Sequence, residues 1–187
     1  PGYADHKVRL QLFDADGKLV AKEERSQNLK WPEAGHKEAG ITFILKLKAV
    51  KKWFPENPHL YTTVLTLVSP KGDEMDFESC RTGFRRIEIK KHVIYLNGVR
   101  MIFRGVNRHE HAYETGRFVS EEHMRKEIVT MKRLNFNAVR TCHYPDDPLW
   151  YDLCDEYGIC LVCEADVETH GVNGMLTNNP SWAGAFL

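Results

Sequence analysis

Hydrophobic and polar residues alternate with a period of two through much of the first half of the chain. Val8, Leu10 and Leu12 interleave with Lys7, Arg9 and Gln11, and the run stops at Asp14-Ala15-Asp16-Gly17. This predicts a strand that ends in a hairpin turn. Ile41, Phe43, Leu45 and Leu47 repeat the alternation, as do Tyr61, Thr63, Leu65 and Leu67 ahead of the turn sequence Ser69-Pro70-Lys71-Gly72-Asp73. Between them, Lys30 to Lys37 contains Trp31, Pro32 and Gly35 and reads as a surface loop. Short strands with no helical pattern between them predict a small antiparallel sandwich.

From about Ile87 the rhythm changes. Val93 to Leu96 and Val99 to Ile102 flank Asn97-Gly98, the turn pair suited to a two-residue hairpin. Ser120 is placed to cap a helix with Glu121 and Glu122 in its first turn and Met124, Ile128 and Met131 along one face. Ala138 to Thr141 reads as a strand. Leu149, Trp150, Leu153, Cys154 and Tyr157 then form a second helical face that stops at Gly158. Ile159 to Cys163 is a continuous apolar run, the pattern of a strand buried on both faces. Strand, helix, strand, helix, strand describes βαβ units with parallel strands. The rhythm change places a boundary near Arg86 to Lys91, dividing the chain into 1–88 and 89–187.

Composition narrows the classes of function. The 187 residues carry 26 basic and 26 acidic side chains, so no charge excess points to nucleic acid or an anionic membrane as partner. No apolar run approaches the roughly 20 residues of a membrane-spanning helix. Five cysteines, Cys80, Cys142, Cys154, Cys160 and Cys163, are an odd number in a chain large enough to bury a core, which predicts reduced, buried thiols. Cys160 and Cys163 lie in an apolar run at a spacing that turns them to opposite faces, so core packing is the expectation rather than a metal or redox pair. No leader follows Pro1, and any targeting segment would lie upstream of the given residues; the expectation is cytoplasm, with periplasm open.

Candidate chemistry gathers beyond the ends of the apolar strands. Phe103 to Val106 is followed by Asn107-Arg108-His109-Glu110-His111, Ala138 to Thr141 by His143-Tyr144-Pro145, and Leu161 to Cys163 by Glu164, Asp166, Glu168 and His170. In parallel sheets and barrels those ends form one face, where active sites are built. Imidazoles and carboxylates should therefore converge on one rim. Glu168 and His170 offer an oxygen and a nitrogen ligand, part of a divalent-cation site but fewer ligands than one needs. Arg140, inside an apolar strand, should be buried and paired with a carboxylate, which it would hold ionised. Trp150 shares the helical face of Leu153 and Cys154 and is assigned to the core.

Asn137-Ala138-Val139-Arg140-Thr141-Cys142-His143-Tyr144-Pro145 and Asp155-Glu156-Tyr157-Gly158 resemble the signature of family 2 of the glycoside hydrolases. Gly105 to His111 and Glu164 to Gly171 look like its β-galactosidase branch. Trp53, Pro58-His59-Leu60-Tyr61 and Gly83-Phe84-Arg85 look like landmarks of the immunoglobulin-like sandwich that precedes the family's TIM barrel. The resemblance implies a truncated sandwich followed by the first three βα units of a (β/α)8 barrel that needs about 250 residues. It also implies that His109, His143 and Asn107 contact the sugar and stabilise the transition state, and that Arg140 orients the nucleophilic glutamate. Glu168 and His170 match two ligands of an active-site Mg2+, with Na+ or K+ a further expectation for the full-length enzyme.

The family's chemistry is retaining hydrolysis of terminal β-galactosides, with an acid/base and a nucleophilic glutamate about 5 Å apart. Both matching motifs lie beyond residue 187, and no Asn-Glu pair occurs in the second half of this chain. The expectation is a central piece of a larger, homo-oligomeric hydrolase, with the rest of its own polypeptide as partner. Alone it should be inactive, and unstable where the apolar edge at Ile159 to Cys163 is uncovered. The alternatives are a non-catalytic sugar-binding or complementation module, and a β-glucuronidase.

Overall fold

A computed structural model describes residues 5–26 and 41–186. The loop expected over Lys30 to Lys37 lies outside the described residues. The chain divides into two compact units, one of residues 1–54 and 58–86, the other of 55–57 and 87–187.

The first unit is built on a four-stranded antiparallel sheet. Strand β1 (Lys7–Phe13) pairs with β2 (Leu19–Ser26) on one side and with β3 (Tyr61–Val68) on the other, and β3 pairs with β4 (Glu74–Thr82). The β1–β2 turn is closed by Asp14, whose carboxylate accepts the Asp16 and Lys18 N–H groups at 3.1 and 2.9 Å. Such an Asx-type contact is why Asp opens the turn. Family landmarks from three separate segments meet in this unit. Trp53 is 1% exposed, its backbone N–H donates to the Phe84 carbonyl at 2.9 Å, and the Arg85 guanidinium lies 5.4 Å from its ring centre. Tyr61 meets Phe84 edge to face at 5.1 Å.

Residues 41–47 correct one expectation. Their side chains alternate between half-buried and exposed as predicted, but the segment joins no ladder among the described residues. Its described backbone bond is from Arg25 Nη1 to the Thr42 carbonyl, 2.8 Å. Alternation specifies an amphipathic extended segment, whereas a ladder also requires a neighbouring backbone in register.

The second unit begins with a meander of β5 (Ile87–Lys90), β6 (Val93–Leu96) and β7 (Val99–Arg100). Asn97 and Gly98 both have positive φ, 53° and 87°, as their tight hairpin requires. Three parallel strands follow: β8 (Gly105–Arg108), β9 (Ala138–Thr141) and β10 (Cys160–Val162), with β9 in the middle. Helix α1 (Glu121–Arg133) links the first two and α2 (Pro148–Tyr157) the next. Ser120 Oγ caps α1 by accepting the His123 N–H at 3.3 Å, and Asp147 caps α2 by accepting the Leu149 N–H at 2.9 Å. The helices bury Met124, Ile128, Trp150, Leu153 and Cys154 against Val139 and Ile159. Each large apolar side chain so buried contributes about 1.5–3 kcal/mol. A short helix, α3 (Ala183–Phe186), closes the unit. These are strands and helices of an open barrel start; no closed barrel forms among the described residues.

No disulfide forms among the described residues, and only Cys142 and Cys154 are buried; Cys160 is half-buried and Cys80 and Cys163 are exposed. The expectation of uniformly buried thiols is corrected: Cys163 lies past the end of β10 and Cys80 lies on β4, which is exposed along almost its whole length.

Gly158 ends α2 with φ 74°, and a Cβ there would sit 2.2 Å from the Pro55 carbonyl oxygen. Lys132 Nζ donates to that carbonyl and to the Gly158 carbonyl, at 2.8 and 3.1 Å. Gly98, by contrast, has a positive φ and open space around it. Gly98→Ala should therefore cost only the left-handed conformation, roughly 1–2 kcal/mol. Gly158→Ala should cost distinctly more, because the backbone must also move. Urea unfolding midpoints measure both, and equal losses would refute the close-approach argument.

Candidate active site

Strand register brings the predicted residues together. Asn107 on β8 pairs with Arg140 on β9, and Arg140 with Val162 on β10, so the three share one row of the parallel sheet. Because side chains alternate, the same face continues two residues further along each chain, at His109, Cys142 and Glu164. An open cavity of about 290 Å3 lies against this face, bordered by Phe103, Asn107, Val139, Arg140 and Val162.

Arg140 is the hub. Its Nε donates to Glu164 Oε1, its Nη1 reaches Asn107 Oδ1 at 3.4 Å, and its Nη2 lies 3.1 Å from His143 Nδ1. The side chain is 37% exposed, which corrects the expectation of a buried guanidinium: β9 is central in the sheet, but the face on which Arg140 lies borders the open cavity. The expectation of a carboxylate partner holds within the chain, since Glu164 supplies it. Burial pushes the Glu164 carboxyl up, but hydrogen bonds from Arg140 and His143 and their charges outweigh it and hold the group below the ordinary carboxylate range. A depressed folded value means that this contribution is present above the unfolded pKa and is lost as pH falls through the folded one. Carboxyl carbon shifts followed by NMR should place the Glu164 midpoint below 4.5, its ordinary value, and Arg140→Met should raise it. A midpoint unmoved by that substitution would exclude the guanidinium as the cause.

His143 Nδ1 lies 3.0 Å from Glu164 Oε2 and 3.8 Å from Glu168 Oε2. His109 meets the Tyr144 hydroxyl through Nδ1 at 3.3 Å, and the His109 and His143 rings stand almost perpendicular with centres 5.5 Å apart. Asn107, His109, Arg140 and His143 therefore share one rim. His170 takes part differently: its backbone N–H donates to Glu168 Oε1 at 2.8 Å, and both residues are exposed at the start of a 3-10 turn, His170–Met175.

Magnesium is a hard cation that wants about six oxygen-rich ligands. Glu168 presents a carboxylate oxygen 3.8 Å from His143 Nδ1, a hard donor of the kind such a site takes, whereas His170 meets it through its backbone N–H. The His, Cys, Asp and Glu side chains that do gather to metal-binding distance among the described residues are instead His109, Cys142 and His143.

Alternation sends the neighbouring residues to the helix side. Arg108 is 4% exposed and donates to Asp146 at 2.6 Å, Glu127 at 3.0 Å and Glu110 at 3.2 Å, with its guanidinium 3.9 Å from the Trp150 ring centre. Desolvation pushes the Asp146 carboxyl up despite Arg108. Glu110 also accepts the Asp147 N–H at 2.5 Å, and the Tyr151 hydroxyl accepts the Asp146 N–H at 3.0 Å. Tyr151 is itself pushed up to about 12, by desolvation and then by its contact with Cys163. Sequence reasoning assigns no roles to this network, to Glu164 or to Cys142. The available signal was alternation: counting in twos from Arg140 and Val162 leads to Cys142 and Glu164.

An antiparallel sheet unit is followed by parallel βαβ units whose rim carries Arg140, His109, His143, Asn107 and Glu164, an architecture on which many enzyme classes are built. Residues 2–85 match the description "Glycosyl hydrolases family 2" and residues 87–185 match "Glycosyl hydrolases family 2, TIM barrel domain". The chain belongs to glycosyl hydrolase family 2. It is similar to a β-galactosidase of Vibrio cholerae serotype O1, 44% identical over 97% of this chain, and to one of Alteromonas mediterranea, 41% identical over 97%. The chain spans 18% of the length of each of these relatives. Among solved structures it is similar to the β-glucuronidase of Ruminococcus gnavus in complex with D-glucuronic acid, with a TM-score of 0.74 and 28% identity, covering 87% of this chain and 26% of that one.

Proposed function

We propose that this chain is the part of a retaining β-galactosidase that holds the sugar and begins the metal site. The observation that supports it most directly is the rim itself, where Arg140, Glu164 and His143 bond to one another with Asn107 and His109 alongside. In this reading the imidazoles of His109 and His143 and the amide of Asn107 meet sugar hydroxyls. Arg140 is a positioning residue: its guanidinium orients a nucleophilic glutamate supplied by another part of the polypeptide. Glu168 and His170 would hold Mg2+, which would supply fixed positive charge to the site. The 187 residues carry neither of the two catalytic glutamates of this reading, so turnover requires the remainder.

A magnesium titration of aryl β-galactoside hydrolysis tests the reading in the polypeptide that carries both glutamates. Glu168→Gln should move activation to magnesium concentrations about 10-fold higher or more, as loss of a charged ligand demands. An unaltered titration would remove Glu168 from the metal site, and hydrolysis by the pure 187-residue chain would overturn the division of labour. The R. gnavus likeness supports a second reading, a β-glucuronidase. That enzyme would need a cation for the uronate carboxylate. Faster hydrolysis of the aryl β-glucuronide than of the β-galactoside would decide for it.

A further inference from the structure

We infer that His109, Cys142 and His143 form a binding site for a thiophilic divalent ion such as Zn2+, separate in ligands and chemistry from the magnesium site proposed for Glu168 and His170. Each of the three offers one ligand atom, and these atoms all lie within 4.8 Å of one another. Ligands of a tetrahedral zinc, about 2.0–2.3 Å from the metal, are somewhat closer to each other than that, so small side-chain rotations complete the site. Two imidazoles and a thiolate are the donors of a zinc or cobalt site and a poor match for magnesium.

A second observation points the same way. Metal-bound imidazoles characteristically donate their other N–H to a carboxylate, which fixes the tautomer. His143 Nδ1 faces Glu164 Oε2 at 3.0 Å, and Glu164 is held in turn by Arg140. Nδ1 also lies 3.1 Å from Arg140 Nη2, so the imidazole can instead accept from the guanidinium. Metal binding selects the tautomer with the proton on Nδ1, donated to Glu164, and the lone pair on Nε2 for the metal. His109 has its Nδ1 beside the Tyr144 hydroxyl at 3.3 Å, which leaves its Nε2 for the same use.

Cys142 is 2% exposed, with Sγ 3.5 Å from Arg140 Nη1, so the thiol forms the floor of the site and the imidazoles its open side. On binding, the thiol proton passes to solvent and the metal ion gains one thiolate and two neutral imidazoles. The complex carries a net single positive charge, and a fourth position is left for water. The site shares both imidazoles with the sugar-contacting residues proposed above. A bound zinc ion therefore excludes sugar, a consequence that rests on that reading whereas the metal site itself does not.

Titration with Co2+ of the polypeptide that carries the rest of the barrel reads the site directly, because a cobalt–thiolate bond has a charge-transfer absorption that imidazole alone lacks. One equivalent should produce the band, and Zn2+ should displace it. Cys142→Ser should abolish it, while His109→Ala and His143→Ala should each weaken binding at least about 100-fold. Cys80→Ser and Cys163→Ser, at the two exposed thiols, should leave it intact. A band that survives Cys142→Ser, or disappears with Cys163→Ser, or never forms, overturns the proposal. A binding-competent site in a protein whose galactoside hydrolysis ignores zinc would instead overturn the sugar assignment of the histidines.

Discussion

Replacing Arg108 by methionine should destabilise the protein by about 3–5 kcal/mol, the cost of leaving a buried charge without its partner. Asp146, whose side chain is fully buried, receives its side-chain hydrogen bond from Arg108, and its other oxygen has no protein partner among the described residues. The methionine fills space over Trp150 but offers nothing to Asp146, Glu127 or Glu110. Lysine at this position keeps the charge but cannot present the planar fork that now serves three carboxylates, so Arg108→Lys should fall between the two. The loss in Arg108→Met should be largest near neutral pH. Without the guanidinium, desolvation acts on Asp146 unopposed and its folded pKa rises further above the unfolded one. Stability is therefore recovered as pH falls and Asp146 takes up a proton. Urea unfolding at neutral and acid pH checks both the size and the direction. A loss under about 1 kcal/mol, the worth of a surface ion pair, would mean that the network is not buried in solution.

His143→Phe should lower kcat/KM for an aryl β-galactoside by about 10²–10³-fold, the usual loss when one preorganised transition-state donor is removed. Phenylalanine preserves the ring against His109 but removes Nδ1 from Glu164 and Arg140 and Nε2 from the rim. The reduction should appear mainly in kcat, as it does when an interaction made in the transition state is lost. The measurement belongs in the polypeptide that carries both catalytic glutamates, with far-UV circular dichroism to confirm the fold. An unchanged kcat/KM would remove His143 from the sugar site.

These two substitutions fall on residues of different legibility. His143 is visible in the sequence because it follows an apolar strand whose end faces the usual site of chemistry in parallel sheets. Arg108 lies in an equally visible polar cluster, but its partners come from α1, from the segment before α2 and from the loop just past its own strand. No local pattern in the sequence names Glu127 or Asp146 as those partners.

By itself, the sequence determined the local structure: the alternating strands at 7–13 and 61–68, the Asn97-Gly98 hairpin, the cap at Ser120, the stop at Gly158 and the buried face of Trp150. Each depends on backbone preferences and side-chain spacing within a few residues, and such information is carried locally. Tertiary structure decided what meets what. It left residues 41–47 without a ladder among the described residues, because pairing needs a second backbone in register. It gave Arg140 the partner Glu164 and set Cys142 within reach of His109 and His143, because the register of three parallel strands, not the order of residues along one, brings the segments past their ends to one rim.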